Sequence, residues 1–217
     1  MIECAAGLVV RTRPLTETSV IVHWLTPNLG RLATVAKGAH RPKSPFRGKL
    51  DLFYLAEFSF RRSRTSDLHT LCEVGVRETH IALRQDLSRL RQAVYGAALI
   101  ENATESETPL PFVFELMLGL LHHVCGRTPE PHSLFAFELK LLENLGMKPE
   151  LEKSRLNAGT KQLAEALTKS DWSLVGRLKP SRAQATELGQ FLHGFLIYHL
   201  ERVPRGRDAA LECMKGK

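Results

Sequence analysis

The spacing of apolar residues changes once along this 217-residue chain, near residue 80, and that change excludes any uniformly built fold. Before it, apolar residues come in short runs with a period of two. In SVIVHWL, Val20, Val22 and Trp24 face one way and Ile21, His23 and Leu25 the other, as in a half-buried strand. AAGLVVRTR, RLATVAKG (ending at Gly38), LFYLAEFSFRR and DLHTLCEVGV read the same way, separated by the turns TPNLG and SRTSD. Beyond residue 80 the period becomes helical: Leu83, Leu87, Leu90, Val94 and Ala97 keep the spacing of one helix face. The expected fold is therefore α+β in two domains. Residues 1–80 should form a small five-stranded OB-type β-barrel, and residues 81–217 an all-helical domain.

Helix ends are marked by their usual punctuation. Thr108 as N-cap with Pro109 behind it predicts a second helix that closes at Gly126. A third, from about Ser133, carries Leu134, Phe137, Leu141 and Leu145 and stops at Gly146, read as a left-handed residue. The last begins near Ser181, just past Pro180, with Leu188, Phe191, Leu192, Phe195 and Leu200 along it. Between Lys148 and Lys179 the pattern predicts only a short helix around Leu163–Leu167 amid loops.

Charge is distributed unevenly. The chain has 30 Lys and Arg against 23 Asp and Glu, a net charge of +7, which favours a polyanionic partner. Six of those cations fall between Arg31 and Lys49, around the stretch VAKGAHRPKSPFRGK, and no acid lies between Glu17 and Asp51. Gly38, Pro42, Pro45 and Gly48 keep this segment out of helix. A loop of that kind at the rim of an OB-type barrel fits the sugar–phosphate backbone of a nucleic acid, whose condensed counterions it would release. Arg11 and Arg13 on the first strand, and Arg61, Arg62 and Arg64 after the fourth, are expected to extend the same surface as Lys37, Arg41, Lys43, Arg47 and Lys49. The plainer alternative is a solvated loop serving solubility, although such loops normally mix signs. Phe46, inside the loop, is equally open to stacking on a base or to packing in the core.

No stretch of about 18 apolar residues is present, so no membrane span is expected. The N-terminus does not read as a signal peptide, since Glu3 stands where a basic leader belongs and the apolar run breaks at Arg11. Cys4, Cys72, Cys125 and Cys213 are widely spaced, which fits reduced thiols in a cytoplasm.

The series GLVVRTRPLTETSVIVHWLTPNLGRLATVAKGAHRPKS resembles the N-terminal domain of the RecO family of bacterial recombination-repair mediators. The marks are Glu17–Ser19, the turn from Thr26 to Gly30, and VAKGA with Arg41 two residues on. FELKLLENLGMKPEL, Phe137 to Leu151, resembles that family's helical-domain signature. The resemblance runs from about residue 5 to 205. It implies binding to single- and double-stranded DNA and annealing of complementary strands, in a nucleoid-associated, cytoplasmic protein. It also implies RecR and the acidic C-terminal tail of single-strand-binding protein (SSB) as partners, with RecA loaded indirectly. Lys37, Arg41 and Lys43 fall on the family's basic-loop positions, and His40 stands where a second arginine is usual. Many members also carry a cysteine zinc motif after the signature helix. Lys148 to Asp171 contains no cysteine and no histidine, so no metal or other cofactor is expected.

Annealing breaks no bond, and no enzymatic apparatus is expected. His122, His123, Cys125 and His132 match no zinc spacing and read as histidines near a helix C-terminus. Glu101, Glu105 and Glu107 read as an acid-rich link rather than a two-metal nuclease site, and no P-loop is present. The helical domain is expected to offer a partner site from Phe191, Phe195 and Tyr198, with Arg182, Arg202, Arg205 and Arg207 near the ends of the last helix. Those aromatics filling the helical core is the competing expectation. An RNA-binding OB-fold protein and a metal-dependent nuclease are the rival readings of the whole.

Overall fold

The computed structural model describes residues 2–212; Cys213 lies outside the described residues. Five strands form the first part: β1 (Ile2–Pro14), β2 (Val20–Thr26), β3 (Gly30–Ala36), β4 (Leu55–Arg61) and β5 (Leu68–Glu78). They close into a barrel in the order β1-β2-β3-β5-β4, the OB-type arrangement. β1 serves both edges of the closure: residues 2–8 pair with β4, and residues 8–14 pair with β2, with a register shift between Val9 and Arg11. β3 and β5 run parallel and meet only over Ala33–Val35 and Leu68–Thr70. Alternation fills the interior as the sequence predicts. Val20, Val22 and Trp24 point inward with Leu32, Phe58, Phe60, Leu71 and Val74. The Trp24 ring stacks on Phe58 with centroids 4.1 Å apart, and its buried Nε1–H donates to Thr34 Oγ1 at 2.8 Å.

The second part holds α1 (Leu87–Ala103), α2 (Pro111–Gly126), α3 (Pro131–Asn144), α4 (Ala158–Lys169), α5 (Trp172–Val175), α6 (Arg182–Leu200) and α7 (Arg207–Leu211). Helix starts are where sequence and structure differ most. α2 begins at Pro111 rather than after Thr108, whose hydroxyl instead donates to Ser106 O. The segment between Lys148 and Lys179 is more helical than expected. Asn157 caps α4 by accepting from Thr160 N, and Asp171 caps α5 by accepting from Leu174 N. α6 starts with a full capping box between Ser181 and Gln184. Gly146 has φ +77, as its stopping role requires.

α3 is buried along nearly its whole length, so it is the central element of the helical core. Its Glu138 is fully buried and accepts from Arg207 Nε and Nη2 at 2.7 and 2.9 Å and from the Tyr95 hydroxyl at 2.6 Å. A buried carboxylate is tolerable only with such complete pairing. Burial and the adjacent Glu138 charge push the Tyr95 hydroxyl far above its ordinary range. Arg207, expected at the surface beside α6, is thus a tie between α7, α3 and α1.

The chain divides into two compact units, residues 1–80 with 104–115, and residues 81–103 with 116–217. Segment 104–115 therefore belongs with the barrel. Arg31 Nε donates to Thr104 Oγ1 at 2.9 Å, and Glu107 N donates to Arg31 O at 2.8 Å. Gly30 (φ +66) lies so close to this segment that a Cβ there would sit 2.1 Å from Thr108 O. Only glycine admits that approach.

Candidate nucleic-acid interface

The connection from β3 to β4 is a folded loop. Successive turns run through it: Arg41 N donates to Gly38 O at 3.0 Å, Ser44 N to Arg41 O at 3.0 Å, Arg47 N to Ser44 O at 3.3 Å and Lys49 N to Phe46 O at 3.1 Å. His40 N donates to Thr18 O at 3.0 Å, which ties the loop to the β1–β2 turn. Phe46 is 6% exposed and belongs to the barrel core, which resolves its two readings in favour of packing. Its apolar ring anchors the loop while the flanking cations stay outside.

Lys37, His40, Arg41, Lys43 and Arg47 are exposed along this loop. Arg13, exposed at the end of β1, joins His40 and Arg47 around a groove of about 590 Å³ that also takes in Thr12, Pro42, Asp51 and Tyr54. Arg11 is exposed two residues earlier on β1, opposite His23. Lys49 is half-buried, with Nζ 3.4 Å from Val74 O, and lines a different groove with Glu57 and Glu73.

Arg61 ends β4, and Arg62 and Arg64 follow it. Glu107, which bonds to Arg31 at the start of β3, also accepts from Arg62 Nη1 at 2.5 Å. Lys37 leaves from the other end of β3, six residues and about 20 Å further along. Glu107 thus draws Arg62 toward the start of β3 and away from the loop, whereas Arg61 pairs with Thr70, which in turn pairs with Val35, two residues before Lys37. Arg62 is in addition held by Glu3, Nε to Oε1 at 2.8 Å. That bond raises the guanidinium above its usual range and lowers the Glu3 carboxyl. His69, 2% exposed, bonds Glu107 through Nε2 at 3.0 Å while Nδ1 accepts from Ser63 N. Glu107 is thus the hub of an ion-pair network, for which the sequence carries no local signal.

In the helical unit, Leu188, Leu192 and Leu196 of α6 are buried, whereas Phe191 and Phe195 are partly exposed and Tyr198 is 83% exposed. Core filling therefore falls to the leucines. Phe191, Phe195 and His199 form a ladder with ring centroids 6.0 and 4.3 Å apart. Arg202 and Arg205 are exposed beyond the end of α6. Arg182 lies at its start, about 27 Å from Leu200 at 1.5 Å per residue, so it is not brought together with them.

His123 lies in the last turn of α2, as expected, whereas its neighbour His122 is exposed. His123 is buried, with Nε2 3.0 Å from Ser133 Oγ, and burial, reinforced by Arg127, lowers its pKa to about 4. Burial likewise lowers His132. Nor does Lys148–Asp171 fit a zinc ion. Its fold is held by Lys140 Nζ on the carbonyls of Thr168 and Ser170 (2.7 and 2.6 Å) and by Glu187 on Thr160 Oγ1 (2.6 Å), with no thiolate or imidazole in the stretch. Among the described residues, no helix is long and apolar enough to cross a membrane.

A family model described as Recombination protein O N terminal matches residues 1–80, and one described as Recombination protein O C terminal matches residues 84–154. The chain is 34% identical over 146 residues to the DNA repair protein RecO of Bacillus pumilus, covering 67% of this chain and 56% of that protein. It is 30% identical over 170 residues to the RecO of Rhodopirellula baltica, covering 78% and 62%. The RecO of Pelotomaculum thermopropionicum matches at 29% over 231 aligned positions, covering 91% and 89%. The chain thus spans somewhat under two thirds of the first two relatives and most of the third.

Proposed function

The chain belongs to the RecO family of DNA repair proteins, and from that premise we propose that it binds single- and double-stranded DNA and anneals complementary strands without breaking a bond. The observation that carries this reading is the exposed cation set Lys37, Arg41, Lys43 and Arg47, with Arg13 beside it, on an anchored loop of an OB-type barrel. Two strands repel through their phosphates. A surface that holds one strand and screens the other lowers the cost of their encounter, and base pairing then drives the reaction. No nucleophile or general base is needed, so the protein acts as a mediator rather than an enzyme. Residues 1–80, completed by 104–115, would be the nucleic-acid-binding unit, and residues 81–103 with 116–217 the partner-binding unit. Arg11, Lys49, Arg61 and Arg64 would make supporting contacts at most, because they do not line the main groove; Arg62 would serve chiefly the ion-pair network.

The same family relationship supports RecR and the acidic tail of SSB as partners, with RecA loading as the outcome, in the nucleoid-containing cytoplasm. The aromatic flank of α6 near Phe191 and Phe195, with Arg202 and Arg205 beyond it, has the chemistry for an acidic peptide ending in apolar residues; Arg182 would lie at the far end of that flank.

The test is annealing of labelled complementary DNA strands in EDTA across a salt series. Five neutralised phosphates give a log–log salt slope near −3.5 for single strands, and replacing Arg41, Lys43 and Arg47 together by alanine should bring it to about −1.4. The triple variant should anneal at close to the spontaneous rate. If wild type does not accelerate annealing at low salt, or the triple variant matches it, the reading fails.

A further inference from the structure

The groove beside the basic loop is more than a strip of charge. At about 590 Å³ it lies within the range of roughly 300–1,000 Å³ typical of pockets for small organic groups. Its basic residues, Arg13, His40 and Arg47, are accompanied by the ring of Tyr54, by Pro42 and by one carboxylate, Asp51. A surface serving phosphates alone has no use for an aromatic concavity, and Asp51 would repel a phosphate placed against it.

The backbone holds this arrangement against its own preference. Phe53 has φ +62, a left-handed conformation that a side chain with a Cβ disfavours. Its N–H donates to Val9 O at 2.7 Å and its carbonyl accepts from buried His80 Nδ1 at 2.7 Å, while Val9 N donates to Tyr54 O at 2.9 Å. The kink resets the strand alternation just before β4. Phe53 is 1% exposed in the interior, and Tyr54 next to it packs on the barrel core while lining the groove. Asp51 Oδ1 accepts from Leu52 N at 2.8 Å, which orients the carboxylate.

We infer that an unpaired nucleobase of the bound strand enters this groove, stacks on Tyr54 and offers an exocyclic amino group to Asp51, while its neighbouring phosphates lie on Arg13 and Arg47. This rests on the DNA-binding reading above. A carboxylate accepts from the amino group of cytosine, whereas thymine has none, so the groove selects amino-bearing bases.

The test uses the full chain and fluorescence anisotropy with three probes of equal length: oligo-dC, oligo-dT and an abasic deoxyribose-phosphate chain. Tyr54→Ala should weaken oligo-dC binding by about five- to a hundredfold, the worth of one base–aromatic stack. It should leave the salt slope and the abasic affinity unchanged, and Tyr54→Phe should keep wild-type affinity. Asp51→Asn should abolish a several-fold preference for dC over dT. An equal loss on the abasic chain, or no loss on oligo-dC, overturns the base pocket and leaves DNA binding standing. If wild type binds none of the three, both readings fall.

Discussion

A neutral imidazole sealed in a helical core makes stability depend on proton concentration. His123 sits against Ser133 and Trp172, with Arg127 and His132 also bearing on it. Burial first, then the Arg127 charge, lowers its pKa from 6.5 to about 4. The unfolded chain therefore binds a proton below pH 6.5 that the native state refuses until about pH 4. Its contribution is intact above 6.5 and lost progressively as pH falls through that window, at up to about 1.4 kcal/mol per pH unit. Urea unfolding between pH 7 and pH 4.5 should show this slope, and His123→Gln should flatten it; parallel profiles for the two proteins would remove His123 as the cause. Nothing in GLLHHVCGR distinguishes buried His123 from exposed His122, because adjacent helix positions differ only in which neighbours they meet. The exposed loop cations are legible for the opposite reason: a run of Lys and Arg interrupted by Pro and Gly can hardly be buried.

At the scale of elements, the strands follow their sequence pattern, whereas α1 buries a face other than the one its pattern predicts. The bulky stripe Leu83, Leu87, Leu90, Val94 and Ala97 predicts the inward side, yet Leu87 and Val94 are 61% and 45% exposed. Within α1, Ala97 is the member of that stripe that is buried, and the rest of the buried side carries Gln92, Ala93, Tyr95, Gly96, Leu99 and Ile100. Close approach decides this: a Cβ on Gly96 would stand 2.8 Å from Leu120 Cδ2 of α2. A hydrophobicity pattern does not register a position that must lack a side chain, as Gly96 does at this close approach, so the period survives and the phase shifts. A similar local override shortens β4, where LFYLAEFSFRR reads as one strand until the left-handed Phe53 interrupts it. Gly96→Ala follows from the packing argument. Intrinsic helix propensity favours alanine by about 1 kcal/mol, but fully buried Leu120 would have to shift within a close-packed interior. The substitution should destabilise by about 1–3 kcal/mol. Chemical denaturation reads the sign, and a stabilised variant would mean that α1 and α2 can part at little cost.

For the whole molecule, the change of period near residue 80 marks where strand sequence ends, but the barrel unit does not end there. Residues 104–115 return to it through Thr104, Glu107 and Thr108, which no count of local periodicity reveals because the contacts reach as far as from Gly30 to Thr108. Glu107 alone connects Arg62, His69 and the backbone of Arg31, so without this segment a guanidinium and a buried imidazole lose their shared carboxylate. A fragment of residues 1–80 should accordingly be less stable than one in which residues 104–115 are rejoined to residue 80 through a flexible Gly/Ser linker. The buried His69 contact and the Arg31 bonds together should be worth about 1–2 kcal/mol, which in a domain of this size moves the midpoint by roughly 4–16 °C. Thermal unfolding of the two fragments by circular dichroism makes the comparison, with Glu107→Gln in the rejoined form separating the carboxylate from the rest of the segment. Equal midpoints would mean that the strands and their core suffice, and that the returning segment only rests on the barrel. A lower midpoint for the short fragment would mean that the charged loop's scaffold is completed by residues the chain supplies only after its first helix.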